Sequence, residues 1–317
     1  MNRTGTRALV ETAFLTAINT VITLLGYTVP VFSALIPFIM PAGVAIVGLR
    51  NGLRNAILSL LVMFLILSMA IGPQMAFIVA GTFGTLGAAV GQGYYKHWSP
   101  AKHMCIPTVL FLFMNLLGMV ISVLVMGMNI TQIADFVMGP FEAMNQAMLE
   151  SGASNPEALA QWQQMWAMMQ VLIKQAFFAI LFGSSAVSTF VAMKVTTFIY
   201  KRVAQVQLPS LPNFEDWRMP LWTLYVFLLG IIGNYWLSQW GLAEWTWISM
   251  HMTVLGVLFC VLNGMSTIYS VARTYGLSRV VGYILVIALY LMVGYGVVLL
   301  GMIDMIFDLR GRLKRRS

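Results

Sequence analysis

The chain has 317 residues, of which 60% are hydrophobic and only 9% charged. That balance excludes a water-soluble globular domain, in which roughly a quarter of the residues carry charge, and makes lipid the solvent. The net charge of +8 does not point to nucleic acid, because the basic residues sit in short clusters beside apolar runs, where they act as orientation signals.

Nine apolar runs follow one another at about 8–27, 30–49, 55–72, 74–95, 104–128, 170–200, 220–239, 246–271 and 280–303. A spanning helix needs about 20 residues. Backbone groups facing lipid must be paired inside their own segment, and barrel strands would be half this length. The expected fold class is therefore all-α, a polytopic transmembrane helical bundle of about 8–9 spans.

Arg3 and Arg7 precede the first run, and no small-residue cleavage site follows it, so the first helix is expected to be retained. Glu11 lies four residues after Arg7, within reach of a local ion pair. Ala13 and Ala17, flanked by Thr12 and Thr16, make a small-residue face able to meet another helix. Pro30, Pro37 and Pro41 invite a broken second helix or an ordered loop ahead of it. Arg50 and Arg54 follow the second run, and Lys96 and Lys102 follow the fourth. Gly81, Gly84, Gly87 and Gly91 gather on one face of the fourth run for close packing. His97 and His103 match no zinc spacing and read as surface residues.

Between the fifth and sixth runs lies an outer amphipathic loop, about 129–168, with Asp135, Glu142, Glu150 and Glu157 and no Lys or Arg. Ile130, Ile133, Phe136, Val137, Phe141, Met144 and Met148 recur near helical spacing. Ser154-Asn-Pro-Glu157 fits a capping box opening a helix that continues through Trp162 and Trp166 into the sixth run, with Gly183 its expected break. Lys174 and Gln175 lie near the outer end of that run, a grouping suited to an anionic or aromatic solute, although snorkelling to headgroups explains Lys174 equally well. Lys194 is placed to snorkel the other way.

A polar linker at 201–219 separates a six-helix membrane domain, 1–200, from carboxyl-terminal membrane helices at 220–307 and a basic tail at 308–317. Lys201, Arg202 and Arg218 follow the sixth run and Arg273 and Arg279 the eighth, so every even-numbered exit is basic and the amino terminus is expected in the cytoplasm. Trp217 and Trp222 flank Arg218 as headgroup anchors. Asn19, Asn115, Asn234 and Asn263, each inside a run, are expected to bond helix to helix, as is His251. Cys105 and Cys260 read as packing residues. The last run carries Gly294-Tyr-Gly296 just past its middle, so it is either a ninth crossing or a broken, re-entrant segment. No phosphate-binding loop, nucleophile elbow or His-Glu-x-x-His is present, so no enzyme activity, cofactor or metal is expected.

Thr6-Arg-Ala-Leu-Val-Glu-Thr-Ala-Phe-Leu-Thr-Ala17 resembles the opening of the YybS family of bacterial membrane proteins, for which no activity is established. Leu49-Arg-Asn-Gly-Leu53, Pro212-Asn-Phe-Glu-Asp-Trp-Arg-Met-Pro220, Leu262-Asn-Gly-Met-Ser266 and Leu300-Gly-Met-Ile-Asp-Met-Ile-Phe-Asp-Leu-Arg310 resemble that family's pattern as well. The front half is also similar to the S-components of energy-coupling-factor vitamin transporters. That likeness implies residence in the bacterial cell membrane, an outward-facing pocket for a small-molecule solute, and coupling and ATPase subunits as partners. An Ala-x-x-x-Ala face on the first helix meets the coupling subunit in those proteins, which maps onto Ala13 and Ala17. The expected solute pocket takes Lys174 for an anion, Trp162 and Trp166 for stacking, Asn115 for orientation, and Gln175 beside them. The competing expectation is a membrane scaffold or regulator that transports nothing.

Overall fold

A computed structural model describes residues 5–29, 36–126, 139, 142–150, 156–205, 208–209 and 211–314. It is all-α, with no strand among the described residues. Two compact units form, Met1–Met148 with Ser184–Ser210, and Leu149–Gly183 with Leu211–Ser317.

In the first unit, α1 (Thr6–Thr28) buries Thr12, Thr16, Asn19, Thr20 and Thr23 along one side. Thr16, Thr20 and Thr23 turn their hydroxyls onto the carbonyl four residues back, which makes threonine tolerable in hydrocarbon. The remaining polar capacity goes across the interface: the Thr16 and Ser59 hydroxyls lie 2.7 Å apart, and Asn19 Nδ2 donates to Met40 O at 3.1 Å. Met63 Sδ also receives Asn19 Nδ2, at 3.6 Å.

That one asparagine touches both Met40 and Met63 because α2 (Ile36–Asn51) and α3 (Leu53–Ile71) fold back on each other about Gly52. With φ +81° and ψ 173°, Gly52 occupies backbone space essentially closed to residues with a Cβ. The hairpin is close enough that a Cβ on Gly48 would stand 3.4 Å from that of Ala56. Helix α2 therefore runs antiparallel to α1 and α3 runs parallel to it. Pro41 is accommodated inside α2 without a break, and Pro30 with the connection ahead of α2 lies outside the described residues.

Gly72, at φ +86°, reverses the chain again, and Pro73 opens α4 (Pro73–Tyr95), which is π-helical over Phe77–Phe83. The expected glycine face packs against α2: a Cβ on Gly87 would collide with the Pro41 carbonyl, and one on Gly91 with that of Ala45. Gly81 differs, since its nearest neighbour is Phe77 of its own helix. Met40, Val44, Met63, Leu67 and Ala76 are fully buried between these helices.

A short turn leads into α5 (Pro100–Met126). His103 is not the surface residue expected from its lysine neighbours; it is buried, with Nε2 2.9 Å from Val90 O and its ring edge-on to Tyr94 at 4.4 Å. Gly93 makes the room, since a Cβ there would strike that ring. Tyr94 Oη meets Thr197 Oγ1 at 2.9 Å, tying in the later part of α6 (Pro156–Ala204). This 49-residue helix breaks at Ala176 (φ −117°, ψ 20°) rather than at Gly183. Gly183 permits a bend without requiring one, and it remains helical beside Leu258. Lys194 is exposed, its Nζ 5.4 Å from the Phe190 ring.

In the second unit, α8 (Thr246–Thr274) is central, and α7 (Trp222–Gln239), α9 (Arg279–Met292), α10 (Gly294–Phe307) and α11 (Leu309–Lys314) pack on it. Close approach again uses glycine: Gly256 lies against Phe227, Gly264 against Val297, and Gly301 against Cys260. Asn234 Nδ2 donates to Thr253 Oγ1 at 2.9 Å, the helix-to-helix bond expected of it. His251 departs from expectation, bonding to Trp247 O of its own helix at 2.6 Å. Cys260 is buried, whereas Cys105 is exposed on α5. Helices α9 and α10 meet at Val293 with a bend of 114°, so the last apolar run is broken rather than one straight helix.

Among the described residues, six helices are long and apolar enough to cross a membrane, or seven if the bent pair is one span, and α2 and much of α7 form shorter apolar helices. Residues 142–150 of the amphipathic loop are helical, with Met144 and Met148 exposed; Ile130, Ile133, Phe136, Val137, Phe141 and Ser154 lie outside the described residues.

Candidate functional site

Three sequence segments far apart in the chain converge on Arg310 in the second unit. Helix α10 ends at Asp308, whose left-handed conformation (φ 46°) turns the chain so that Arg310 folds back over the preceding turn. Its Nε and Nη2 donate to Asp304 Oδ2 at 2.9 and 2.7 Å. Nη2 also reaches Asn263 Oδ1 at 2.7 Å, and Nη1 reaches Ser266 Oγ at 2.6 Å and Trp217 O at 2.7 Å. Asn263 Nδ2 completes the ring by donating to Gly301 O and Asp304 Oδ2. Arg310 is 2% exposed. A charge this deep is tolerable only when paired and fully hydrogen-bonded, and here the guanidinium is engaged on all three nitrogens. The cluster is a closed lock with no open position for a ligand, joining α8 and α10 to the 3₁₀ turn Phe214–Asp216. Asp308 makes a separate, exposed ion pair with Arg218 at 2.9 Å.

A second convergence, in the first unit, is open. Glu11 on α1 pairs with Arg50 at the end of α2 at 2.5 Å. Asn51 Nδ2 donates to Thr12 Oγ1 at 3.1 Å, while its Oδ1 is buried without a partner. Around these residues lies a cleft of about 650 Å³, walled by the first turns of α1, the α2–α3 hairpin and Tyr95. Arg50, Asn51, Arg54 and Asn55 make its polar side, and Leu9, Ile57, Leu58 and Leu61 its apolar side.

The solute-pocket residues expected from the sequence fall in both units. Trp166 is buried and Trp162 and Gln175 are half-buried in the earlier part of α6, in the second unit; the Lys174 side chain lies outside the described residues. Asn115, on α5 of the first unit, donates to Phe111 O of its own helix at 2.7 Å, not to another helix. Ala13 and Ala17 are exposed on α1, along the edge of its buried polar side. No group of three or more potential metal ligands occurs among the described residues.

The Arg310 lock was partly announced: Asn263 is a polar group in an apolar run and needs a partner, and Asp304 and Asp308 lie close enough in the chain to pair with Arg310 along the end of the last helix. Nothing in the sequence paired any of them with Ser266 or with the backbone of the linker. Likewise Glu11 and Arg50, 39 positions apart, show no periodic relation, and only the hairpin unites them.

Residues 17–305 match the profile of the DUF2232 family, described as a predicted membrane protein. The chain is also similar to the uncharacterized protein YybS of Bacillus subtilis (strain 168), at 22% identity over 323 residues, covering 98% of this chain and 99% of the relative. No solved structure matches it.

Proposed function

The chain belongs to the DUF2232 family of predicted membrane proteins, and within that frame we propose that it is the solute-recognising component of a small-molecule uptake system energised by partner subunits. The observation that carries this reading is the two-sidedness of α1. One side is pinned by buried threonines and Asn19, while Ala13 and Ala17, flanking that side, are exposed. Small residues on an uncovered helix face permit close backbone approach by a second helix, which is what docking on a coupling subunit needs. The basic clusters at Arg7, Arg50, Arg54, Lys96 and Lys102 support an orientation with this end of the first unit on the cytoplasmic side of a bacterial cell membrane.

The test is native mass spectrometry of the protein extracted gently from its own membrane. A co-purifying small molecule, with ATPase and coupling subunits lost specifically from the Ala13→Trp, Ala17→Trp double variant, supports the reading. An empty protein accompanied by envelope, division or signalling proteins, indifferent to those substitutions, overturns it in favour of a scaffold.

A further inference from the structure

We propose that the cleft between the start of α1 and the α2–α3 hairpin binds one anionic phospholipid, its phosphodiester against Arg50 and Arg54 and its acyl chains along Leu9, Leu58 and Leu61. The cleft changes character along its length. At the level of Gly5, Thr6 and Tyr95 it offers two guanidinium groups and two carboxamides, Asn51 and Asn55. One to three turns further into α1 and α3 it is lined by Leu9, Ile57, Leu58 and Leu61, which are 51%, 47%, 42% and 56% exposed. These leucines and Ile57 belong to helices of membrane-spanning length, so their exposure is to hydrocarbon. A polar headgroup-level site continuous with an apolar groove inside the bilayer has the profile of a lipid; a soluble phosphate would cover only its upper part.

Charge selects the headgroup. Glu11 is committed to Arg50 at 2.5 Å, and Arg54 is exposed at the rim, so the cleft and its edge, with Arg7 on the other side of α1, carry more positive than negative charge. An arginine fork matches two phosphate oxygens at once. A zwitterionic lipid would bring an ammonium group to a site whose acid is already engaged, whereas a net negative phosphodiester answers the excess charge. Basic pockets between membrane helices recognise acidic headgroups in this way.

Retention of lipid by the full-length protein in detergent is read by native mass spectrometry, offering phosphatidylglycerol and phosphatidylcholine in equal amounts. The expected result is one retained phosphatidylglycerol in preference to phosphatidylcholine. Arg54→Gln should lower that occupancy about fivefold, the effect of one lost basic contact, and Lys201→Gln, exposed and outside the cleft, should not. Leu61→Trp fills the apolar groove without touching charge, and should also displace the lipid if Arg54→Gln proves too unstable to measure. Equal retention of the two lipids, equal losses from R54Q and K201Q, or retention unchanged by L61W would overturn the proposal. Displacement of the lipid by glycerol 3-phosphate at matched concentration would also overturn it, assigning the site to a soluble phosphate. None of these readouts depends on solute uptake or on the partners expected at Ala13 and Ala17.

Discussion

At the scale of single residues, two positions decide more than their neighbours. Arg310 brings a full charge into a buried setting and is satisfied there by Asp304, Asn263, Ser266 and the Trp217 carbonyl. Replacing it with methionine strands the Asp304 carboxylate, and removing one partner of a buried pair costs about 3–5 kcal/mol. Arg310→Met should therefore lower the thermal unfolding temperature clearly. Adding Asp304→Asn, which removes the orphaned charge and keeps an acceptor for Asn263, should restore part of the loss; a double variant no better than the single would show that charge burial is not the cause. Gly52 is the other position. Alanine there must adopt φ +81° with ψ 173°, at a cost of about 1–3 kcal/mol, and Gly52→Ala should expose the 49–53 segment to limited proteolysis. Both glycine and arginine stand out in the sequence motifs, but the reasons they are needed are geometric and non-local.

The elements are joined by close backbone approach more than by large side chains. Gly87 and Gly91 seat α4 on α2, and Gly264 and Gly301 bring α8 and α10 together. Helices in lipid gain little from hydrophobic exclusion and depend on packing and interhelical bonds, so these contacts should be sensitive to added volume. Gly87→Val should destabilise by about 1–3 kcal/mol, whereas Gly294→Ala, where nothing lies within 4 Å of the new Cβ, should stay within about 0.5 kcal/mol. Thermal unfolding of both in the same detergent checks the contrast, and equal effects would argue against packing as the origin. Helix α6 shows where local signals mislead. Its expected break at Gly183 rested on propensity, yet glycine packed beside Leu258 remains helical and Ala176 carries the distortion.

At the scale of the molecule, the helix directions in the first unit make a topological statement. With α2 antiparallel to α1, α3 parallel to it and α4 returning, the start of α1 and the turn at 96–99 lie at one end of that unit. Reporter fusions at these two places should read the same compartment, the cytoplasm if the arginine clusters follow the positive-inside bias; opposite readings would break the α2–α3 hairpin. Much of this architecture was legible beforehand. The length and spacing of the apolar runs determined an all-α membrane protein and located most of its helices, because a bilayer of fixed thickness forces each crossing to be apolar and internally hydrogen-bonded. The last run is nonetheless two helices bent at Val293. The glycine face of α4 was legible from its small-residue spacing, and the interhelical bonds of Asn19, Asn234 and Asn263 because a polar group in hydrocarbon must find a partner. The identity of that partner was not. His103 turned inward beside Tyr94, Asn115 bonded to its own helix, and Asp308 took Arg218 rather than Arg310. Those choices depend on which helices touch, at what register and around which turn. Sequence periodicity assigns a residue to a face, but only the packed tertiary structure brings two faces together.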